Sequence, residues 1–368
     1  MLLTDYVDKE ILRKVLFFVI FILGLITIVN FVFLLSHKVF IERRAKKIRN
    51  LEEKFLKKIL EGFATNEIPR LEVRSSCEVE AFSNILSSLA INLSGSLYNF
   101  VKKIAEKNDL VNFLIKRCFS KNWLVRLEAL EKLGILKIPK LKHFYLNLLE
   151  TETRYYVQLQ ILLNLSWIAD KDCIRAIVST LNNMSSLSAK FVEYLFSNII
   201  ITMREKGKQQ DFLQFLDSLL LDKELPHSLK KGIIEACGVA QLYEAKALFL
   251  SYFDSMDDSL KVSCIRSLGK MSSPEVCVLI KKAYLSKNWV LRAVAVQFVY
   301  LCESEDMIKI LTDAFHDYNF YVRRSAALSL CQLRNEARKI IIKIVENSKD
   351  SYARDVASYL IERVCRDV

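Results

Sequence analysis

The segment NWVLRAVAVQFVY, residues 288–300, recurs along the chain and decides the fold. Copies of its pattern stand at residues 122–134 (NWLVRLEALEKLG), 257–269 (DDSLKVSCIRSLG), 319–331 (NFYVRRSAALSLC) and 350–362 (DSYARDVASYLIE). Alignment of the pattern places a basic residue every 31 residues in the second half of the chain, at Lys230, Lys261, Arg292, Arg323 and Arg354. A fixed period of this kind is the signature of a repeat architecture.

Each copy predicts the second helix of a helical hairpin. An Asn or Asp stands four residues before the base, where its side chain can accept hydrogen bonds from the first free amides of a helix. Apolar residues follow on one helical face, as Val125, Leu130 and Leu133 do in the first copy. A second apolar stretch, such as residues 276–285, precedes the copy. Because a hairpin cannot bury its faces alone, we expect these hairpins to stack on one another.

The repeat resembles HEAT repeats, in particular the short variety found in phycobilisome-lyase-type proteins. The consensus of that variety reads Asp/Asn-x-x-Val-Arg-x-x-Ala-x-x-x-Leu-Gly. The first copy matches it at Asn122, Val125, Arg126, Ala129, Leu133 and Gly134, and the fourth matches at Asn319, Val322, Arg323, Ala326 and Leu330. The resemblance implies an all-α, HEAT-type solenoid over residues 110–368, with strong matches at 110–136 and 257–362.

Other parts of the chain fit the repeat less well. Residues 156–167 and 191–201 fit only as degenerate copies, and Pro226 stands where Asn or Asp is expected. Repeat boundaries between residues 137 and 225 therefore stay open. Residues 66–109 are predicted to be either an atypical capping hairpin or a linker, since the end unit of a solenoid must cover the open core.

Composition agrees with an all-α fold. The 368 residues include only 8 Gly and 4 Pro, which leaves few turns for strands. The nine cysteines are widely spread, without a CxxC pair, and most lie in apolar helical context. We interpret them as small core residues in a reducing compartment rather than as a disulfide framework or metal ligands.

Residues 15–36, VLFFVIFILGLITIVNFVFLLS, contain no charge and are long enough to cross a bilayer of about 30 Å. The run is longer than the apolar region of a signal peptide, so we predict a transmembrane helix. Residues 1–14 are then a short non-cytosolic N-terminus. The lysine- and isoleucine-rich composition points to a bacterial protein, and hence to a single pass through the inner (cytoplasmic) membrane.

A basic cluster follows the span and predicts the orientation. It consists of Lys38, Arg43, Arg44, Lys46, Lys47 and Arg49. Three bases before the span are balanced by three acids, so the positive-inside bias places the C-terminal part in the cytosol. Half of the net charge of +12 lies between residues 38 and 58.

Residues 37–65 are predicted to form a basic amphipathic juxtamembrane helix. Ile48, Leu51, Phe55, Ile59 and Phe63 recur at helical spacing on one face. Two arrangements explain this stripe: the helix lies on an anionic lipid surface, or the stripe packs on the first repeat.

The sequence carries no catalytic motif, and we predict no enzymatic activity, cofactor or metal. The four histidines are dispersed, and HExxH, P-loop, GxGxxG and GxSxG motifs are missing. The HEAT family includes a di-iron hydroxylase that uses paired His-Glu dipeptides, and this chain has none.

Two sets of residues are candidates for partner binding. The basic ladder comprises Arg126, Lys230, Lys261, Arg292, Arg323 and Arg354, which either bond to carbonyls and acids at the adjoining turn or receive an acidic partner. The aromatic set comprises Trp123, Trp289, Phe320, Tyr321 and Tyr352, which either cover the junctions between repeats or contact a partner.

These observations favour a membrane-tethered scaffold or adaptor that binds cytosolic or membrane proteins through a solenoid face. A regulatory subunit of an inner-membrane enzyme or secretion complex is the first alternative, and the lone Asn30 in the span is a candidate contact with another membrane helix. A HEAT-type enzyme such as a lyase is the second. Nucleic acid is not expected as a partner, because tethering at the membrane argues against a genomic substrate.

Overall fold

A computed structural model describes residues 2–184, 187–302, 304–333, 347–352 and 354–355. The chain divides into an N-terminal unit, residues 1–136, and a C-terminal unit, residues 137–368. Within the described residues the regular structure is entirely helical, so the predicted all-α fold class is confirmed.

The N-terminal unit contains five helices. They are α1 (Leu2–Thr65), α2 (Ser76–Asn92), α3 (Gly95–Lys107), α4 (Leu110–Arg117) and α5 (Trp123–Leu136). Helix α1 is continuous, and its residues 13–65 form the one helix in the described part of the chain that is long and apolar enough to cross a membrane. The C-terminal third of α1 packs on α2, and α2 also contacts α3 and α5.

The C-terminal unit contains twelve helices within the described residues. They are α6 (Lys142–Thr151), α7 (Tyr155–Ser166), α8 (Lys171–Asn182), α9 (Ala189–Glu205), α10 (Gln209–Leu221), α11 (His227–Val239), α12 (Lys246–Tyr252), α13 (Asp258–Lys270), α14 (Val276–Tyr284), α15 (Trp289–Gln297), α16 (Glu305–Ala314) and α17 (Phe320–Gln332). Short 3-10 helices occur at Pro139–Leu141, Tyr243–Ala245, Phe253–Ser255 and Val299–Leu301.

Consecutive helices of this unit pair as hairpins, and the hairpins stack. The second helices of successive hairpins form one layer, in which α7, α9, α11, α13, α15 and α17 each contact the next. The first helices pack on that layer: α6 and α8 contact α7, α10 contacts α9, and α14 and α16 contact α15 and α17 respectively. This is the stack of helical hairpins that the repeat predicts.

Asn and Asp side chains cap the N-termini of repeat helices, as the sequence predicts. Asn288 Oδ1 accepts from the Val290 amide at 3.0 Å, and Asn319 Oδ1 accepts from the Tyr321 amide at 2.9 Å. Asp257 accepts from two amides at the start of α13. Pro226 stands at the start of α11 without a side-chain cap, which is the local consequence of its departure from the pattern.

Two glycines bring the second helices of the C-terminal unit close together. A Cβ at Gly232 of α11 would stand 2.4 Å from Val192 of α9. A Cβ at Gly238 would stand 2.7 Å from the backbone of Ser267 in α13. Both positions therefore exclude larger side chains, and α11 is held tightly between its two neighbours.

Candidate interaction surfaces

The arginines of the basic ladder all make the same local bond. Nη1 of Arg126 donates to the Ser120 carbonyl at 2.9 Å, and Nη1 of Arg292 donates to the Ser286 carbonyl at 2.9 Å. Arg323 bonds the Asp317 carbonyl at 2.7 Å, and Arg354 bonds the Ser348 carbonyl. Each acceptor lies six residues before its arginine, in the turn that leads into the helix of that arginine. These four arginines therefore close the turns that precede their helices.

Arg292 also bonds a carboxylate that the next hairpin supplies. Its Nε and Nη2 donate to the two carboxylate oxygens of Asp317 at 2.7 and 3.0 Å. Both side chains are more than nine-tenths buried. The hydrogen bonds and charge of Asp317 raise the pKa of Arg292, and the bidentate geometry fixes one hairpin against the next.

The two lysines of the ladder lie in different surroundings. Lys230 is buried at the start of α11, and Lys261 Nζ lies 5.8 Å from the ring centre of Phe253. A lysine ammonium lacks the guanidinium fork that bonds a turn carbonyl and a neighbouring acid at once. Partner binding by the basic ladder stays a prediction.

The aromatic set lies along the turns of the last hairpins. The rings of Trp289 and Tyr321 stack at 5.2 Å between centres, which joins α15 to α17. The guanidinium carbon of Arg323 lies 5.6 Å from the ring centre of Tyr352. Tyr318, which the sequence analysis did not single out, covers Arg292 at 4.8 Å. Trp123 is half-buried at the start of α5.

These aromatics also reach solvent. Phe320, Tyr321 and Tyr352 are more than half exposed, and Trp289 is 38% exposed. Leu285, in the turn before Asn288, is 85% exposed. We call the exposed side chains Leu285, Trp289, Tyr318, Phe320, Tyr321 and Tyr352 the turn edge. It joins hairpins through its ring contacts and offers apolar area to a partner.

The apolar stripe of the juxtamembrane helix packs on protein. Phe55 of α1 contacts Phe82 of α2 at 5.6 Å between ring centres, and Phe63 contacts Phe100 of α3 at 4.9 Å. Ile59 between them is fully buried. Of the two arrangements that the sequence allows, the structure therefore has the stripe docked on the first helical hairpin.

The basic cluster after the span stays on the surface of α1. Lys38, Arg43, Arg44, Lys46, Lys47 and Arg49 are all exposed. Arg44 bonds Glu80 of α2 at 2.7 Å, and this bond raises the pKa of Arg44. Arg44 therefore contacts the folded unit, while the other bases of the cluster present positive charge to solvent.

A polar band crosses α9, α11 and α13, and sequence reasoning missed it. Glu193 is buried and lies 2.6 Å from Lys190 and 3.7 Å from Lys270. Burial opposes ionisation of Glu193, but the Lys190 hydrogen bond and the Lys270 charge outweigh it, so the pKa is lowered. Glu235 accepts from Ser263 at 3.1 Å. These residues are dispersed in sequence and meet only because α11 packs closely on both neighbours.

Metal-ligating side chains do not cluster in the described part of the chain. Among them there is no group of three or more His, Cys, Asp or Glu that could hold a metal ion. One cavity of about 210 Å³ between α8, α9 and α10 is lined by Arg175, Asp211 and Phe215, among others. Its volume is below the range of about 300–1,000 Å³ typical of small-molecule sites.

The interpretation of the cysteines as unpaired core residues is wrong for one pair. Cys277 of α14 and Cys302 after α15 form a disulfide. The start of the first helix and the end of the second meet at the same end of a hairpin, so residues 25 apart in sequence become neighbours. Spacing alone did not reveal this contact.

The other described cysteines fit the core interpretation. Cys118, Cys173, Cys237 and Cys264 are buried and unpaired, and Cys77 is partly exposed. Burial raises the pKa of Cys118 and Cys173 to about 12, which makes their thiols unreactive. The side chain of Cys331 and the whole of Cys365 lie outside the described residues.

Comparisons with known proteins give similarity to solved helical structures alone. No protein-family model matches the chain, and no curated protein matches it. An engineered protein is 17% identical, with a TM-score of 0.35 over 85% of this chain and 87% of that one. Kap121p is 12% identical, with a TM-score of 0.37 over 77% of this chain and 41% of that one.

Human deoxyhypusine hydroxylase is a third similar structure, 11% identical, with a TM-score of 0.24 over 77% of this chain and 96% of that one. The chain spans about two fifths of the length of Kap121p. At these TM-scores the similarities carry no argument about function. The fold described above rests on the helix contacts, and the finer assignment to short HEAT repeats stays a prediction.

Proposed function

We propose that this protein is a membrane-tethered scaffold whose cytosolic helical stack binds other proteins. The observation that carries the proposal is helix α1. Its apolar window has a mean hydropathy of 2.9 with none of its surface buried, and the same helix continues without a break to the buried Phe55 and Ile59. A soluble domain rarely exposes such an apolar area. Span and folded unit are therefore parts of one element.

The basic cluster supports both the orientation and a contact with lipid. Its six residues follow Ser36 within thirteen positions, so they lie within about 20 Å of the end of the span along α1. Positive charge this close to a span favours the cytosolic side and attracts anionic headgroups. The helix carries the charge on its exposed faces while its apolar stripe packs on α2.

The turn edge is the candidate surface for a protein partner. Trp289 and Tyr321 stack on each other across two hairpins, and Tyr318 and Tyr352 lie over arginine side chains. These rings should therefore lose little conformational freedom on binding. Rigid aromatics of this kind are frequent at binding hot spots. We propose no catalytic activity for the chain itself.

A comparative pull-down tests the proposal. The intact chain and residues 38–368 are each purified in mild detergent, and bound proteins are identified by mass spectrometry. The shorter chain keeps the stripe from Ile48 to Phe63, so the packing of the N-terminal unit is preserved. A partner retained by both forms supports the scaffold, whereas one retained only by the intact chain supports a subunit that packs through its membrane helix. Absence of any partner contradicts binding.

A matched pair of variants locates the binding surface. Leu285→Ser removes the most exposed side chain of the turn edge, and Val278→Ser removes a 56% exposed side chain from the outer face of α14. We expect the partner to be lost with Leu285→Ser and kept with Val278→Ser. Equal retention by both variants would exclude the turn edge as the surface.

The redox state of Cys277 and Cys302 shows independently which side of the membrane the C-terminal unit occupies. The structure joins these two residues by a disulfide. Because the cytosol keeps thiols reduced, a cytosolic C-terminal unit should hold them as thiols in growing cells, and the disulfide should form when the purified protein is oxidised by air. Alkylation directly in the cells, followed by mass spectrometry, measures this. A disulfide present before lysis would place the unit outside the cytosol.

A further inference from the structure

Position along helix α1 gives the distance of each residue of the N-terminal unit from the proposed membrane span. Each residue adds about 1.5 Å along the axis, so Arg44 lies about 12 Å beyond Ser36 and Ile41 about 8 Å beyond it. Val39, Phe40 and Ile41 extend the exposed apolar surface by one more turn. The boundary between lipid and water therefore falls between Ser36 and Arg44 if α1 crosses the membrane.

Helix α2 runs parallel to α1. Arg44 bonds Glu80 at 2.7 Å, and Glu52 accepts from Asn84 at 2.9 Å. Residue numbers therefore increase in the same direction along both helices. The start of α2 is accordingly its membrane-proximal end. Its far end, near Ile91, points away from the span.

Helix α5 shares this direction. Lys132 donates to Asn84 of α2 at 3.1 Å, and the Ile135 carbonyl, near the far end of α5, accepts from Tyr98 at 2.9 Å. Asn84 also donates to Glu52 of α1 at 2.9 Å, so Lys132 lies near the level of Glu52, eleven residues and about 16 Å beyond Ile41. Trp123 begins α5 nine residues before Lys132, about 14 Å nearer the membrane. The turn between α4 and α5 therefore lies within about one helical turn of the level of Ile41.

The side chains at this turn suit the headgroup layer. Phe119 is 68% exposed and Leu124 is 54% exposed, although both are large and apolar. Lys116 and Lys121 beside them are exposed, and Trp123 is half-buried. Aromatic side chains and lysines together are characteristic of segments that lie at a membrane surface.

We propose that the α4–α5 turn, residues 119–124, inserts into the anionic headgroup layer of the leaflet through which α1 leaves the membrane. Phe119 and Leu124 enter the apolar boundary, while Lys116 and Lys121 meet lipid phosphates. This second contact fixes the N-terminal unit against rotation about α1. The inference rests on the proposed membrane span and adds a lipid-binding site in the folded unit.

Depth-dependent quenching of tryptophan tests the inference. The full chain is reconstituted in phosphatidylcholine vesicles with phosphatidylglycerol and lipids that carry a nitroxide on the headgroup. Trp167→Phe with Trp289→Phe leaves Trp123 as the single reporter. The control replaces all three tryptophans by Phe and adds Ile91→Trp, at a 67% exposed position at the far end of α2. We expect at least threefold stronger quenching of Trp123 than of the control, and equal quenching would overturn the proposal.

Two further measurements separate this inference from the proposed function. Phe119→Asp with Leu124→Asp should abolish the difference in quenching while circular dichroism and resistance to carbonate extraction stay unchanged. A chain that carbonate removes from the vesicles would refute the span itself. A chain that stays embedded with Trp123 unquenched would refute only the second contact. Vesicles without phosphatidylglycerol should quench Trp123 less, and an unchanged value would refute the anionic preference.

Discussion

Two hairpin turns share the sequence Ser-Lys-Asn-Trp and differ in what surrounds them. One precedes α5 at residues 120–123 and the other precedes α15 at residues 286–289. Both cap the helix with Asn, and both bond an arginine to the serine carbonyl. Arg292, in the second turn, also meets the buried carboxylate of Asp317 from the next hairpin. The repeat signature therefore specifies the turn, and at the second turn the neighbouring hairpin adds a buried ion pair.

The largest effect is expected for the buried ion pair at the second turn. Arg292→Ala leaves the buried Asp317 without its partner and should cost about 3–5 kcal/mol. Arg292→Lys keeps the charge, loses the guanidinium fork and should cost less. Hydrogen exchange of α14–α17 in the full chain measures both losses. Equal losses for the Ala and Lys variants would contradict a stabilising role of the charge.

The second largest effect is expected from the disulfide, which distinguishes the α14–α15 hairpin from the α4–α5 hairpin. Reduction of Cys277–Cys302 releases a loop of 25 residues and should lower the local stability of α14–α15 by about 3 kcal/mol. The α4–α5 hairpin has the buried, unpaired Cys118 and should not respond to reductant. Hydrogen exchange with and without a dithiol checks both. A chain with Cys277→Ser and Cys302→Ser serves as the control, and a reductant effect that persists there would have another origin.

The asparagine caps should behave alike. Asn122→Ala and Asn288→Ala each remove one acceptor for a helix-start amide and should each cost about 1 kcal/mol of local stability. Asp at either position keeps the acceptor and should cost less. Amide exchange in the first turn of α5 and α15 measures the effect. A cap that mattered at only one turn would show that the shared signature does not encode a shared structure.

The smallest effect on stability is expected when the pH is lowered. Glu275, before α14, accepts from Lys246 at 2.5 Å and from Ser273, and these bonds lower its pKa to about 2. A lowered pKa stabilises the fold above the unfolded-state value of 4.5, and the contribution is lost as pH falls toward 2. The Glu275 side chain is partly exposed and its ion pair is screened by solvent, so the loss should stay below about 1 kcal/mol. Glu275→Gln should reduce the acid sensitivity of α14 between pH 5 and pH 2, and unchanged sensitivity would contradict this role.

Sequence patterns predicted the local parts of this fold well. Asn and Asp at a fixed distance before a base specify the helix starts, since a cap needs only its own turn. The 31-residue period predicted the stack of hairpins. The apolar run of residues 15–36 predicted a helix long and apolar enough to cross a membrane, because its length and lack of charge depend on no other part of the chain.

Features that need contacts between hairpins could not be predicted in the same way. The Cys277–Cys302 bond, the Asp317 partner of Arg292 and the polar band around Glu193 each join residues on different helices. Exposed Phe119 and Leu285 look like core residues in the sequence, because apolar character does not show which side of a turn a side chain occupies. The choice between lipid and α2 for the stripe around Phe55 likewise required the packing itself.

Protease accessibility in oriented membrane vesicles tests the central claim most directly. The full chain is placed in sealed vesicles with either the cytosolic or the opposite face outward. One portion of each set is digested while sealed, and a separate portion is extracted with alkaline carbonate. We expect the chain to stay in both carbonate pellets and the helical stack to be digested only when the cytosolic face is outward. Release by carbonate, or digestion from the opposite face, would contradict a cytosolic scaffold tethered by α1.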